Sequence, residues 1–133
     1  MRTFLDINIV MYAAGEAHPH KEPSAHFLRR VAHGELDVLT DSEALQEILY
    51  RYWRLKRMAQ GAVLMAEVVR LVPTILPVDK ADALLASTLL TQHAQIEPRD
   101  AIHAAVMLNH SLTEIYSYDT HFDAIPGLKR RQP

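Results

Sequence analysis

Four carboxylates, Asp6, Glu47, Asp100 and Asp119, fall in four separate parts of the sequence, with Asn8 and Asp123 close behind the first and the last. Carboxylates gathered in one crevice repel each other strongly unless cations are present. Hard oxygen ligands with positions left for water suit Mg²⁺ or Mn²⁺. Two such ions would clamp the attacking and leaving oxygens of a phosphodiester in line. One ion between Asp6 and Asp100 would be enough to activate water and neutralise the phosphate. The chemistry is then metal-assisted hydrolysis, which needs no lysine and no nucleophilic Ser or Cys. Each carboxylate also has an ordinary structural account. Asp6 and Asp119 suit turns or caps, Asp100 suits the dipole of a helix start, and Glu47 suits an exposed i,i+4 pair with Arg51. Periodicity alone leaves the two accounts level, so the matter turns on the elements that carry these residues.

Arg2 to Leu5 is a short apolar strand that stops at Asp6, and Ile7 to Ala14 reads as a short helix. Gly15 to Pro23 is a loop; its His18-Pro19-His20 offers two imidazoles with no third ligand nearby. Ser24 to His33 is a helix with Phe27, Leu28 and Val31 inward, closed by Gly34. Leu36 to Thr40 is a second strand. Asp41-Ser42-Glu43 opens the next helix, with Ser42 as its cap. Ala44, Leu45, Ile48, Leu49, Tyr52 and Leu55 form its apolar stripe, which puts Glu43 roughly opposite and Glu47 near the edge. Trp53 reads as packing within the subunit. Ala62 to Val72 is a helix dense enough in apolar residues to bury two faces, one of them a candidate subunit contact. Thr74 to Val78 is a strand and Asp79 to Gln92 a helix. Pro98 suits the first turn of another helix, which places Asp100 in that same turn. Glu114 to Tyr118 is a strand ending at Asp119, Thr120 to Asp123 a turn, and Leu128 to Arg130 a last strand.

Strands alternating with helices predict an α/β domain with a mostly parallel sheet covered on both faces. In such sheets the functional crevice lies beyond the carboxyl ends of the strands. Asp6 and Asp119 sit where strands end, Asp100 where a helix begins, and Glu47 in the second turn of its helix, so all four can reach one rim.

The composition agrees with this and removes alternatives. A chain of 133 residues is one ordinary domain. It has no cysteine, which rules out disulfides and thiolate zinc sites and fits a cytoplasmic protein. Asp6 interrupts the first residues too early for a signal-peptide core, and Ala62 to Val72, broken by Glu67 and Arg70, is too short to span a bilayer. A net charge of −2 advertises no global field for nucleic acid. Basic runs at Arg51 to Arg57 and at Lys129 to Arg131 are nevertheless candidates for holding an RNA backbone. The glycines are scattered, with no phosphate loop among them. A haloacid-type phosphatase would want a second Asp where Asn8 stands, and a phospho-accepting receiver would want an acidic pair at the first strand.

Four segments together carry a resemblance. Phe4-Leu5-Asp6-Ile7-Asn8, Leu45-Gln46-Glu47-Ile48-Leu49-Tyr50-Arg51-Tyr52, Arg99-Asp100-Ala101-Ile102-His103-Ala104-Ala105 and Ser117-Tyr118-Asp119-Thr120-His121-Phe122-Asp123 match, in order and approximate spacing, the PIN domain, most closely the VapC-type ribonuclease toxins. The resemblance covers the whole chain, 1–133, as a single domain. It implies a three-layer α/β/α sandwich with a mostly parallel sheet, an endoribonuclease dependent on Mg²⁺ or Mn²⁺, a homodimer, and a cognate VapB-like antitoxin. It also implies that Asp6, Glu47, Asp100 and Asp119 are the catalytic and metal-binding cluster. Asn8 would hold Asp6 by hydrogen bonding, Ser117 would support the site or contact phosphate, and Asp123 would be a fifth carboxylate nearby. A silent PIN-like scaffold that binds RNA or protein is the non-enzymatic alternative; the intact acidic set speaks against it, because carboxylates repel phosphate unless metal is bound.

Overall fold

The protein is described from a computed structural model covering residues 2–133. At the centre lies β1 (Thr3–Leu5), three residues buried on both faces. It pairs in parallel with β2 (Val38–Asp41) on one side and β4 (Glu114–Tyr116) on the other. Two-residue β3 (Ile75–Leu76) extends β2, and β5 (Lys129–Arg131) extends β4, both parallel. The order across the sheet is β3-β2-β1-β4-β5. The chain therefore builds outward from β1 in one direction, returns, and builds in the other. The strand order reverses between β1 and β4, which is where a crevice opens beyond the strand ends of a doubly wound sheet.

Alternation along these short strands sorts the side chains into two cores. Phe4, Leu39 and Ile115 face α5 (Lys80–Gln92) and α6 (Pro98–Asn109). Leu5 and Val38 face the layer of α1 (Asn8–Ala14), α2 (Lys21–Ala32), α3 (Ser42–Arg54) and α4 (Met58–Leu71). This is the expected three-layer sandwich.

Several boundaries and faces differ from the sequence reading. Helix α2 begins at Lys21 rather than Ser24. Pro23 lies in its first turn, where a missing N–H breaks no helical hydrogen bond. Asp41, not Ser42, caps α3: its Oδ1 accepts from the Ala44 N–H at 3.1 Å, while Ser42 Oγ accepts from the Val78 N–H at 3.0 Å. Helix α4 buries one side only, through Gly61 and Val68. Gly61 is there because a Cβ would stand 2.7 Å from the Tyr52 Cβ, so its smallness lets α4 close onto α3. The second apolar face of α4 is solvent-facing, with Val63 and Val69 exposed. Trp53 is likewise not packed inside; 65% of its surface is exposed.

Candidate functional site

Beyond the strand ends the switch point gathers the predicted residues from distant parts of the chain. Asp6 follows β1 directly and is buried. Its Oδ1 accepts from the Asn8 N–H at 3.2 Å and its Oδ2 from Ser117 Oγ at 2.5 Å. That same serine oxygen accepts from the Asp119 N–H at 2.9 Å. Ser117 thus ties the carboxylate after β1 to the loop after β4. Asn8 also holds Asp6, through its backbone rather than its side chain. The Asn8 Oδ1 is buried without a partner, although buried polar atoms are nearly always paired.

Glu47 does not pair with Arg51. Its Oε1 lies 2.7 Å from Nε2 of His103, whose Nδ1 lies 2.8 Å from Oδ2 of Asp41. A carboxylate on each ring nitrogen requires a donor at both, which only the imidazolium supplies. Burial alone would favour the neutral ring, but hydrogen bonds and charges from Asp41 and Glu47 outweigh it and raise the His103 pKa well above its ordinary value. His103 and Asp41 are both fully buried. Together they fix α6 to the start of α3 and aim Glu47 at the crevice. Sequence reasoning missed both: Asp41 read as one of three acidic or capping residues, and His103 as a step in an apolar helix. The available signal was a histidine at the centre of that helix's buried face, where an unpaired polar group is costly.

Asp100 stands in the first turn of α6, where its Oδ2 accepts from the Glu97 N–H at 3.3 Å. The helix-start account and the site account hold for it at once, because Oδ2 also lies 3.2 Å from His121 Nδ1. His121 Nδ1 is equally 3.2 Å from Asp119 Oδ1, which in turn accepts from the His121 N–H at 2.9 Å. The hydrogen bond to Asp100 and the charges of both carboxylates raise the His121 pKa, against a smaller effect of desolvation. This histidine stands in the quoted Ser117 to Asp123 segment, but the sequence reading gave it no role.

The electrostatics are those of a site that wants a cation. Burial pushes the Asp6 carboxyl up to about 6; His103 and Ser117 oppose the shift and Glu47 adds to it. Burial and then the charge of Asp119 raise the pKa of Asp100, with His121 opposing. Glu43, which lines the same crevice rather than facing away from it, is raised by burial and by Glu47. Arg99 is partly desolvated, yet Glu47, Glu97, Asp100 and Asp6 hold its guanidinium still more firmly charged. Donor atoms converge in two sets, Asp6 with Glu47 and His103, and Asp100 with Asp119 and His121, each within 4.8 Å. Doubly hydrogen-bonded, His103 has no lone pair left for a metal, so in the first set it positions the Glu47 carboxylate. The donor set fits a hard divalent ion, and the orphaned Asn8 Oδ1 beside Asp6 is an oxygen such an ion or its waters would satisfy.

Asp123 stands apart from both sets. Its two oxygens hold Nε and Nη2 of Arg130 at 2.9 and 3.1 Å, and Arg130 Nη1 donates to the Ser117 carbonyl at 3.2 Å. It braces the backbone under Ser117 rather than joining the cluster. Arg131 is paired with Glu114 at 2.8 Å, so two members of the last basic run are engaged inside the protein. The crevice opens into a groove of about 2190 Å³ with Glu47 and Asp119 on its floor and Arg51, Arg54, Arg57 and Arg99 along it.

This geometry has relatives. The sequence profile of the PIN domain matches residues 3–128. Ribonuclease VapC13 of Mycobacterium tuberculosis is 36% identical over 126 residues, 95% of this chain and 96% of the relative. The chain belongs to the PIN-domain family, on its VapC branch. Ribonuclease VapC23 of Mycobacterium tuberculosis is 33% identical over 87% of this chain and 91% of its own. Among solved structures, VapBC2 of Rickettsia felis, bound to a DNA fragment from its promoter, superposes with a TM-score of 0.77 at 19% identity over 99% and 98% of the two chains. The sarcin–ricin-loop-cleaving toxin VapC20 of Mycobacterium tuberculosis gives 0.75 at 20% identity over 98% and 99%. Those two matches establish that the sandwich is the PIN fold. Among the described residues no helix of this PIN domain is long and apolar enough to cross a membrane.

Proposed function

We infer that this chain is a metal-dependent endoribonuclease, the toxin half of a type II toxin–antitoxin pair, with all of its chemistry in one PIN domain spanning 1–133. The observation that carries this reading is the pair of donor sets that four distant segments build beyond the strand ends, Asp6 with Glu47 and Asp100 with Asp119, linked through Ser117. A divalent ion held there, Mg²⁺ or Mn²⁺, supplies neutralisation of the phosphate and activation of water. The rest is done by the protein's own groups. Asp6, Glu47, Asp100 and Asp119 are the catalytic and metal-holding carboxylates. Ser117 and the Asn8 backbone fix both oxygens of Asp6. His103 fixes the position of Glu47, and Asp123 supports Ser117 through Arg130. Arg99 at the mouth and Arg51, Arg54 and Arg57 along the groove bind the backbone of the RNA substrate on either side of the cleaved bond.

The exposed Leu49, Tyr50, Trp53 and Met58 form an apolar patch beside the groove. Large aromatics at a patch edge are what a protein interface uses, and this patch receives the VapB-like antitoxin. The open faces of α4 and α5, with Val63, Val69 and Leu84 exposed, serve homodimerisation. The protein works in the cytoplasm. Purified protein cleaves single-stranded or looped RNA with Mg²⁺ or Mn²⁺, stops with chelator, and loses the activity in Asp100→Asn. Undiminished cleavage by that variant, in a preparation free of contaminating nuclease, would remove this reading.

A further inference from the structure

The Gly15 to His20 loop, whose histidines converge with no third ligand among the described residues, closes on aromatic rings instead. His20 lies flat on Tyr118, with ring centroids 3.8 Å apart and planes 9° from parallel. Tyr12 stands edge-on to both, at 5.0 Å from His20 and 5.4 Å from Tyr118. His18 packs against Tyr12 at 4.6 Å and beside His20 at 4.9 Å. The rings are held in place. Ser24 Oγ donates to the Tyr118 hydroxyl at 3.2 Å, and the His20 N–H donates to His18 Nδ1 at 3.0 Å. That second bond commits one His18 nitrogen to the backbone and orients its ring. His18 is exposed, and Tyr12, His20 and Tyr118 are only half-buried.

The location gives the cluster its meaning. Tyr118 stands between Ser117 and Asp119 in the chain, and Tyr12 lies one turn beyond Asn8 on the helix that leaves Asp6. Tyr12, His18 and Tyr118 line the same groove as Glu47 and Asp119. The arginines of that groove bring positive charge for phosphates, and the aromatic rings beside them bring faces on which bases stack. An unpaired base has a π-face that stacks on aromatic rings whatever its identity, and recognition of single-stranded RNA depends on such stacking.

We propose that Tyr12, His18, His20 and Tyr118 form a stacking platform for an unpaired nucleobase next to the phosphate cleaved at the acidic crevice. The proposal rests on the ribonuclease reading and adds to it the side chains that hold an unpaired base of the single-stranded or looped RNA beside the cleaved phosphate.

The test measures RNA affinity in the Asp100→Asn background with Mg²⁺, using mixed-sequence, unstructured single-stranded RNA oligonucleotides, intact or with one abasic position. In that background Tyr118→Leu, which keeps bulk but loses the π-face, and His18→Ala each weaken binding of intact RNA by roughly ten-fold. Tyr118→Phe, which keeps the ring, does not. The abasic position that weakens binding to the parent costs nothing further in Tyr118→Leu or His18→Ala. His18 sits in an exposed loop, so its variant carries the test should Tyr118→Leu fold poorly. Unchanged affinity in both variants, an abasic penalty that persists in them, or a loss in Tyr118→Phe as large as in Tyr118→Leu would overturn the platform. RNA binding by the parent and cleavage by wild type, with variants that weaken only antitoxin capture, would assign the rings to the protein partner and overturn the proposal alone. Failure of wild type to cleave, with no RNA binding by the parent, would remove the ribonuclease reading together with it.

Discussion

Asp6 is a carboxylate whose surroundings oppose its charge. With its pKa raised from 3.8 to about 6 by burial, the folded state binds a proton across the interval where the unfolded chain has already released it. Stability from this group is therefore highest below pH 4, falls as pH rises to about 6, and stays lowered above it, by about 3 kcal/mol. Asp6→Asn keeps one acceptor oxygen and removes the charge. At neutral pH without metal it should melt at or above wild type, and the gap should close as pH falls toward 4. A divalent ion relieves the same strain. At a hundred times its dissociation constant Mn²⁺ should add about 2.7 kcal/mol to wild type and much less to Asp6→Asn. Scanning calorimetry across pH, with and without Mn²⁺, measures both. Clear destabilisation of the variant, with a wild type indifferent to Mn²⁺, would mean that Asp6 serves the fold alone. His103 works with the opposite sign. Its pKa is raised well above 6.5, so its contribution is complete below the unfolded value and is lost as pH rises through the folded one. His103→Gln leaves Asp41 and Glu47 facing each other without a cation, at a cost of about 3–5 kcal/mol near pH 6 in urea unfolding. The difference from wild type should shrink in alkaline solution. A pH-independent difference would show that packing alone is at stake.

At the scale of elements, α3 does two jobs on two faces. Its inner side, Ala44, Ile48 and Tyr52, is buried against the sheet, while Glu43 and Glu47 at its start face the crevice and Arg51 and Arg54 at its end line the groove. The arrangement also suits the helix dipole, with acids near the start and bases in the last turn. Strand β5 is different, because Arg130 and Arg131 are committed to Asp123 and Glu114. Charge reversal at Arg51, Arg54 and Arg57 should therefore weaken RNA binding and flatten its salt dependence, by about 0.7 units of log–log slope for each phosphate of a single strand no longer neutralised. Reversal at Arg130 should instead lower stability and leave that slope alone. Filter binding over a salt series separates the two, and equal slopes for wild type and the α3 variant would make that helix end a solvated surface.

For the molecule as a whole, the two-core sandwich leaves several large apolar side chains exposed. Trp53, Leu49 and Tyr50 lie on one patch, Val63 stands on the α4 wall of the groove, and Leu84 lies on α5. Contiguous exposed apolar surface of this kind marks interfaces. Sedimentation at micromolar concentration should show a dimer, and Val63→Glu or Leu84→Glu should shift it to monomer if either residue's helix forms the contact. Trp53→Glu should leave the dimer intact and weaken antitoxin capture, since a charge at the centre of an apolar patch is costly to desolvate. A wild-type monomer would remove the dimer, and unaffected capture by Trp53→Glu would move the antitoxin to another face.

The order of elements, the parallel sheet and the places of Asp6 after a strand and Asp100 in the first turn of a helix were legible because each rests on local pattern: apolar runs, helical spacing, a proline before Asp100. So was the site's place at the strand ends, which follows from α/β connectivity. What the sequence by itself did not determine lies in pairings between distant residues. His103 reads as one more position of a buried helix until Asp41 and Glu47 arrive from 62 and 56 residues away. Asp123 reads as a fifth acid until β5 brings Arg130 against it. The Ser117 hydroxyl bridges Asp6 and Asp119 only because β1 and β4 are neighbours. Trp53 was expected to pack within the subunit, since hydrophobicity predicts the tendency to be buried but not the geometry that decides which side chain is covered. Local propensity fixes which elements form; the long-range packing of charged and hydrogen-bonding groups, where each buried polar atom must find its complement, decided how the site is held.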